Sequence, residues 1–395
     1  MKKILLVMDS LGAGGAEKSL ITFLNILPQD NYKIELILIR KEGLFLPQIP
    51  KHIQLLEKIY PLQFLGVSPT NIIFYIKNGF SFFLKKLYRY QKAKKNKKGL
   101  AIPQALWNSW RRDIKDLDRE YDVAISYLEG FTNYYVIEKV HAKKKILWIH
   151  NEYNKLKYNK DFDYNYFRQA DNIVTISDLC KKDLVHNFPD LANKFIVLEN
   201  ISDTNRIKEL AKENITDEIF TKSNGVKLLS VGRLSPQKGY DLALKAASIL
   251  KSKNINFSWF IIGEGALKND LEELKQKLQL DKNVYFMGLR SNPYKYMQQA
   301  DIIVQSSSFE GKSIAIDEAK ILCKPIVSTN YNTVQDLIQN NINGIITEMN
   351  PESLSNGIIN IIIDKDLRYK LIDNLRKESN DNTKEIDRYI KLIEN

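Results

Sequence analysis

Between Asp301 and Ser328 the chain alternates in a way that leaves few folds open. Asp301-Ile302-Ile303-Val304-Gln305 reads as a short strand, apolar on both faces. The loop Ser308-Phe309-Glu310-Gly311-Lys312 follows. A helix is predicted from near Ser313, because Ile314-Ala315-Ile316 and Ala319-Lys320-Ile321-Leu322 continue without Pro or Gly. Strand character returns at Lys324-Pro325-Ile326-Val327-Ser328. A strand buried on both sides belongs in a parallel sheet covered by helices. The strand, loop, helix, strand order puts the loop at the carboxyl end of that sheet, where doubly wound folds bind ligands.

The same alternation runs through the chain. In the first half, strands are predicted at Lys3–Met8, Ile34–Ile39, Val123–Ser126, Ile146–Ile149 and Ile173–Ile176. A helix is expected from about Glu17 to Leu27, with Leu20, Phe23, Leu24 and Leu27 at helical spacing. Residues 201–224 are polar and charge-rich, which places a domain boundary near 200–222. The second half then restarts, with strands at Lys227–Val231, Ser258–Ile262, Val284–Phe286, Ile302–Gln305, Ile326–Ser328 and Gly344–Thr347. The fold class expected is α/β: two Rossmann-like domains, 1–200 and 201–395, facing each other across a cleft. The final helices, around Pro351–Ile363 and Lys384–Ile393, are expected to pack back across it.

Several loops have the chemistry of a phosphate site. Glu310 sits in the Gly-containing loop and Glu318 follows eight positions later. Backbone N–H groups of Gly311, Lys312 and Ser313 at a helix start would face an anion, helped by the helix dipole. Two carboxylates beside such a site suit a ligand with phosphates in the middle and sugar hydroxyls at both ends. Gly12-Ala13-Gly14-Gly15 closes the first strand, but Glu17 stands where a dinucleotide fingerprint needs glycine, so G-x-G-x-x-G fails. Arg233 and Lys238, in Val231-Gly232-Arg233-Leu234-Ser235-Pro236-Gln237-Lys238-Gly239, bracket a turn at another strand end and form a candidate diphosphate clamp. His150, in Leu147-Trp148-Ile149-His150, ends a first-half strand. Ile262-Gly263-Glu264-Gly265 reads mostly as structural.

Composition excludes other classes. Cys180 and Cys323 are isolated and far apart, and four His form no close cluster with them. Two buried thiols in a reducing cytosol are expected, rather than a disulfide or a transition-metal centre. Ile4–Met8 is too short for a signal-peptide core and Asp9 ends it. Charge is uneven: residues 1–200 carry 32 Lys+Arg against 21 Asp+Glu, which is +11 of the net +12. From Lys58 to Arg112 there is no acidic residue. Lys58, Lys77, Lys85, Lys86, Arg89, Lys92, Lys94, Lys95, Lys97, Lys98, Arg111 and Arg112 interleave with aromatics such as Phe74, Tyr75 and Tyr88. Phe83, Leu84, Leu87 and Tyr88 are expected to share one helix face, with Lys85, Lys86, Arg89 and Lys92 on its flanks. That is the pattern of a helix lying on an anionic membrane surface. No nucleic-acid recognition motif is visible, and nucleic acid is not expected as a partner.

Taken together, Gly12–Lys18 (GAGGAEK), Val231–Gly239 (VGRLSPQKG), Ile262–Gly265 (IGEG) and Glu310–Ala319 (EGKSIAIDEA) resemble the family-4 retaining glycosyltransferases of the GT-B fold. The likeness spans nearly the whole chain and points towards bacterial lipopolysaccharide- and capsule-assembling members. It implies transfer of a sugar from a nucleotide-diphosphate donor, expected to be a UDP-sugar, to a lipid-linked or growing cell-surface glycan. Such transfer retains the anomeric configuration and needs neither metal nor cofactor. The resemblance also implies roles for individual residues. Gly14, Gly15, Gly311, Lys312, Ser313 and Ile314 would receive the donor phosphates through backbone amides, and Arg233 and Lys238 would neutralise the leaving group. Glu310 would hold donor-sugar hydroxyls, Glu318 the ribose, and His150 would orient the sugar. Lys312-Ser313 departs from the aromatic and Pro of many relatives. A soluble storage-glucan synthase and a non-catalytic membrane scaffold on the same fold are the alternatives. The expected location is cytoplasmic, peripheral on the inner membrane face.

Overall fold

The computed structural model describes residues 1–56, 80–95, 99–378 and 381–395, with the backbone alone at 80–82 and 93–94. The expectations for Lys58, Phe74, Tyr75, Lys77, Lys97 and Lys98 lie outside the described residues. The chain divides into two compact units. The first holds Met1–Gly12, Ala16–Glu199 and Ile386–Asn395; the second holds Ala13–Gly15 and Asn200–Glu385.

Among the described residues of the first unit, seven strands form one sheet. They are β1 (Lys2–Met8), β2 (Tyr32–Leu38), β3 (Gln54–Leu55), β4 (Leu117–Ser126), β5 (Val140–Ile149), β6 (Asn172–Thr175) and β7 (Phe195–Val197). Their order is β3-β2-β1-β4-β5-β6-β7 and every pairing is parallel. Only the carboxyl halves of β4 and β5 are continuously buried, as Val123–Ser126 and Ile146–Ile149. Asp118-Arg119-Glu120 and Lys143-Lys144-Lys145 make the amino halves polar, so the apolar pattern is shorter than the strand.

The helix Glu385–Glu394 packs on this first unit. Its Tyr389 ring lies 5.2 Å from Phe23 and 5.7 Å from Trp148, and its hydroxyl donates to Glu199 O at 2.9 Å. Lys2 Nζ donates to Glu394 O at 2.7 Å and Lys144 Nζ to Leu392 O at 2.6 Å. Two ammonium groups thus satisfy carbonyls at the negative end of the helix. The helix Pro351–Ile363, expected beside it, does something else. Leu354, Ile358 and Ile361 are buried in the core of the second unit, where a side chain on Gly357 would meet Val327 and Thr347.

In the second unit, the described strands β8 (Val226–Val231), β9 (Phe257–Ile262), β10 (Val284–Gly288), β11 (Ile302–Gln305), β12 (Ile326–Thr329) and β13 (Ile345–Thr347) pair in the order β10-β9-β8-β11-β12-β13, all parallel. Two-residue alternation divides its apolar side chains between two cores. Leu228, Trp259, Ile261, Ile302 and Val304 face one, while Leu229, Phe260, Ile262 and Ile303 face the other. The order reverses between β8 and β11, so loops leaving those neighbours diverge to opposite sides and open a crevice.

The basic helix Phe80–Lys94 differs from its expected orientation. Arg89 reaches inward instead of flanking an exposed face, while Lys85 stays exposed. Arg89 stacks on Trp110 at 4.3 Å and pairs with Asp113, and Lys85 Nζ donates to Asp113 at 2.8 Å. Burial pulls the Lys86 ammonium down to a pKa of about 8. Leu84, Lys85, Tyr88, Tyr90, Gln91, Lys92 and Lys95 are exposed. No helix among the described residues is long and apolar enough to cross a membrane.

Both cysteines are free, and they differ. Cys180 is buried, which pushes its thiol up to about 11. Cys323 was expected to be buried but is only half-buried, at φ +51, because it follows the end of the helix Ile314–Ile321. A left-handed residue there ends the helix and turns the chain towards β12.

Candidate active site

The switch point of the second sheet brings together residues that stand about seventy positions apart in the chain. The loop after β8 carries Arg233, Gln237 and Lys238; the loop after β11 carries Ser307 and Glu310. Lys238 Nζ lies 2.5 Å from Glu310 Oε1. Both side chains are largely sequestered, at 20% and 9% exposure. The two loops are also sewn together by hydrogen bonds to their backbone carbonyls. Ser308 N donates to Gln237 O at 2.8 Å, Ser306 Oγ to Lys238 O at 2.8 Å, and Gln237 Nε2 to Phe309 O at 3.0 Å.

Glycine makes this approach possible. Gly239 has φ +61, and a side chain there would meet Ser306 O at 2.2 Å. The backbones of the two loops therefore touch only because no Cβ intervenes. Gly263 serves the next loop in the same way, with Gly232 O at 1.9 Å from where its Cβ would stand. This gives the IGEG motif a structural reason.

Glu310 is 7% exposed and carries a dense set of partners. Ser307 Oγ donates to Oε1 at 2.7 Å, Gln305 Nε2 to Oε1 at 3.3 Å and Gln237 Nε2 to Oε2 at 3.3 Å. Its main-chain carbonyl accepts from Thr333 Oγ1 at 2.8 Å. A buried charge without partners would be expensive, and here one cation and three neutral donors meet it. Tyr331, fully buried nearby, has its hydroxyl held protonated well above the usual range, first by burial and then by the Glu310 charge.

Glu318 lies in the helix Ile314–Ile321 with 2% exposure, and Tyr294 OH donates to its Oε1 at 3.2 Å. Gly311 and Ser313 are buried, while Lys312 and Ile314 are half-buried, at the start of that helix. Arg233 is exposed on the β8 loop. Gly14 precedes the helix Gly15–Ile26, whose first residue is Gly15.

In the first unit, His150 follows β5 and is 7% exposed. Its Nε2 is 3.1 Å from Tyr127 O. A carbonyl can only accept, so Nε2 carries the proton and the neutral ring keeps its lone pair on Nδ1. Burial, the largest influence, lowers the His150 pKa below 6.5 against the opposing Glu129 charge. Glu129 accepts from His150 N at 3.0 Å and from Asn151 Nδ2 at 2.6 Å, so it fixes this loop.

The sequence reading did not single out Gln305, Ser307, Gln237, Thr333 or Glu129. Gln305 left one trace: it is the polar last residue of an otherwise apolar strand, Ile302-Ile303-Val304-Gln305. The others sit in loops where polar residues are ordinary.

Residues 211–378 match the family described as glycosyl transferases group 1. The chain carries a group 1 glycosyl transferase domain. It is 32% identical over 200 residues to an uncharacterized glycosyltransferase of Methanocaldococcus jannaschii, a match covering 48% of this chain and 49% of that protein. It is 28% identical to the N-acetylgalactosamine-N,N'-diacetylbacillosaminyl-diphospho-undecaprenol 4-alpha-N-acetylgalactosaminyltransferase of Campylobacter jejuni, over 93% of this chain and 92% of that one. Anabaena HepE in complex with UDP-glucose superposes with a TM-score of 0.72 at 17% identity, each chain covered in full. The fold of this glycosyltransferase domain and its partner unit is GT-B, two Rossmann-like domains in one chain.

Proposed function

We propose that this chain transfers a sugar, with retention of configuration and without a metal, from a nucleotide-diphosphate donor to a lipid-linked or growing cell-surface glycan. A UDP-sugar is the donor we favour, because HepE is described bound to UDP-glucose. The acceptor class and the α outcome follow the name of the Campylobacter transferase, which makes an α linkage on a diphospho-undecaprenol glycan. An α-configured sugar nucleotide that yields an α-glycoside keeps its anomeric configuration.

One observation carries this reading: Lys238 and Glu310 meet at the switch point of the second sheet. In the proposal, Lys238 and Arg233 hold the diphosphate with the amides of Gly311–Ile314, and Gly14 and Gly15 contribute theirs. Glu310 takes donor-sugar hydroxyls, Glu318 the ribose, and His150 orients the sugar. The acceptor oxygen attacks the anomeric carbon on the face the leaving group vacates. The bond from that carbon to the β-phosphate oxygen breaks, and its electron pair stays on the phosphate. The acceptor proton passes to a phosphate oxygen, leaving glycoside and nucleoside diphosphate. Fixed positive charge at the departing phosphate lowers the barrier, which is why a cation pair can take the part of a metal. The exposed Leu84, Tyr88, Lys92 and Lys95 would meet the anionic inner leaflet where such acceptors sit.

The test supplies UDP-glucose, UDP-galactose, UDP-N-acetylglucosamine, UDP-N-acetylgalactosamine and GDP-mannose with diphospho-undecaprenol glycans, in the presence of EDTA. Transfer should occur with at least one pair and fall at least about a hundredfold in Glu310→Ala. Transfer that is unchanged in both Glu310→Ala and Arg233→Ala would defeat the proposal.

A further inference from the structure

We infer that Gln305 is a positioning residue that ties the amino end of the helix Ile314–Ile321 to the Glu310 carboxylate. The inference rests on the function proposed above. An ionised carboxylate only accepts hydrogen bonds, so the group that Gln305 turns towards Glu310 Oε1, at 3.3 Å, is its NH2. The amide carbonyl must then point the other way, where Ser313 Oγ donates to it at 2.6 Å. A third contact, from Nε2 to Tyr331 OH at 3.4 Å, holds the same orientation. Gln305, Ser313, Glu310 and Tyr331 are all buried, so an unmade hydrogen bond here would not be replaced cheaply by water.

The consequence falls on the helix. Ser313 occupies the N-cap position with an extended backbone, φ −83 and ψ 104. A serine there ordinarily turns its oxygen onto an N–H of the first turn. In three other helices the polar residue does so: Ser177 caps Cys180 N, Asn350 caps Ser353 N and Asp364 caps Leu367 N. Ser313 makes no such bond; its hydroxyl is turned to Gln305 instead. A cap would take Ala315 N, since Ile316 N already donates to Ser313 O at 3.1 Å. Gln305 therefore keeps the capping oxygen off the N–H that this helix end offers the donor phosphates beside Ile314, and steadies the carboxylate that handles the sugar. Phosphate binding and sugar positioning are joined through one side chain.

Methionine at this position has nearly the shape of glutamine and neither hydrogen-bonding end. In Gln305→Met, Ser313 is released to cap its own helix and Glu310 loses a donor. The experiment measures UDP affinity by calorimetry and acceptor-free hydrolysis of the four UDP-sugars in wild type, Gln305→Met, Ser313→Ala and the double variant. Gln305→Met should bind UDP about tenfold more weakly and hydrolyse donor about tenfold more slowly. The double variant has no hydroxyl left to cap the helix. It should regain UDP affinity to within about twofold of wild type while hydrolysis stays slow. A merely structural role for Gln305 would not give that recovery. UDP binding in the double variant as weak as in Gln305→Met, or wild-type behaviour of Gln305→Met, would overturn the inference. Should Gln305→Met not fold, Ser313→Ala alone decides: slowed hydrolysis supports the inference, and unchanged hydrolysis overturns it. A wild-type chain that binds neither UDP nor any of the four sugars removes the proposed function, and the inference with it.

Discussion

Lys238 and Glu310 are 2.5 Å apart with little water around them, a geometry that does little for stability on its own account. Desolvating both charges costs about as much as their attraction returns, so a buried pair is weak evidence of a stabilising role. Its value lies in what it holds ready: a cation and a carboxylate kept at one strand end by the backbone of two loops. Both residues were legible in the sequence, since each follows an apolar strand in a motif with small residues. The network behind them was not, because Gln305 and Ser307 gain meaning only when β8 and β11 become neighbours. His150 was legible as a strand-end residue, whereas its tautomer required Tyr127 O. Its lowered pKa has a definite sign for stability. The unfolded chain protonates His150 near pH 6.5 and the folded chain only below that, so acid favours unfolding. The contribution is full above about pH 6.5 and is lost as the pH falls towards the folded value. Thermal melts from pH 8 to 5 should show a smaller loss of stability in His150→Gln than in wild type. Parallel curves would refute the buried neutral ring.

At the level of elements, the central strands of each sheet were readable because they are apolar on both faces, as Phe257–Ile262 is throughout. The edge strands Gln54–Leu55 and Phe195–Val197 were not, being too short for any periodicity to show. The basic helix shows another boundary of sequence reading. Helical spacing marked Phe83, Leu84, Leu87 and Tyr88 as one face, but Trp110 and Asp113 decide its rotation by drawing Arg89 inward. An arginine on an aromatic ring is worth about 0.5–2 kcal/mol, enough to choose between faces of similar hydrophobicity. The outward face then combines Leu84 and Tyr88 with Lys92 and Lys95. Cosedimentation with phosphatidylglycerol vesicles should drop about tenfold in Leu84→Asp/Tyr88→Asp, while donor hydrolysis in solution stays at the wild-type rate. Equal cosedimentation of the two proteins would remove the membrane role of this face.

Over the whole molecule, the two α/β halves could be read from the restart of alternation after the charged stretch 201–224. The return of Glu385–Glu394 to the first unit was harder to see. Its partners Lys2, Phe23, Lys144, Trp148 and Glu199 lie from 190 to 392 positions away along the chain. The family match, residues 211–378, falls within the second unit, whose strand order builds the crevice that holds Lys238 and Glu310. Under the proposed function the second unit is the seat of nucleotide binding, with Lys238 exchanging Glu310 for phosphate when the donor arrives. Calorimetric titration of UDP into wild type and Lys238→Ala tests this most directly. A charge-assisted hydrogen bond of about 1.5–3 kcal/mol predicts affinity at least about tenfold weaker in the variant. Equal affinity for UDP in the two folded proteins would contradict it.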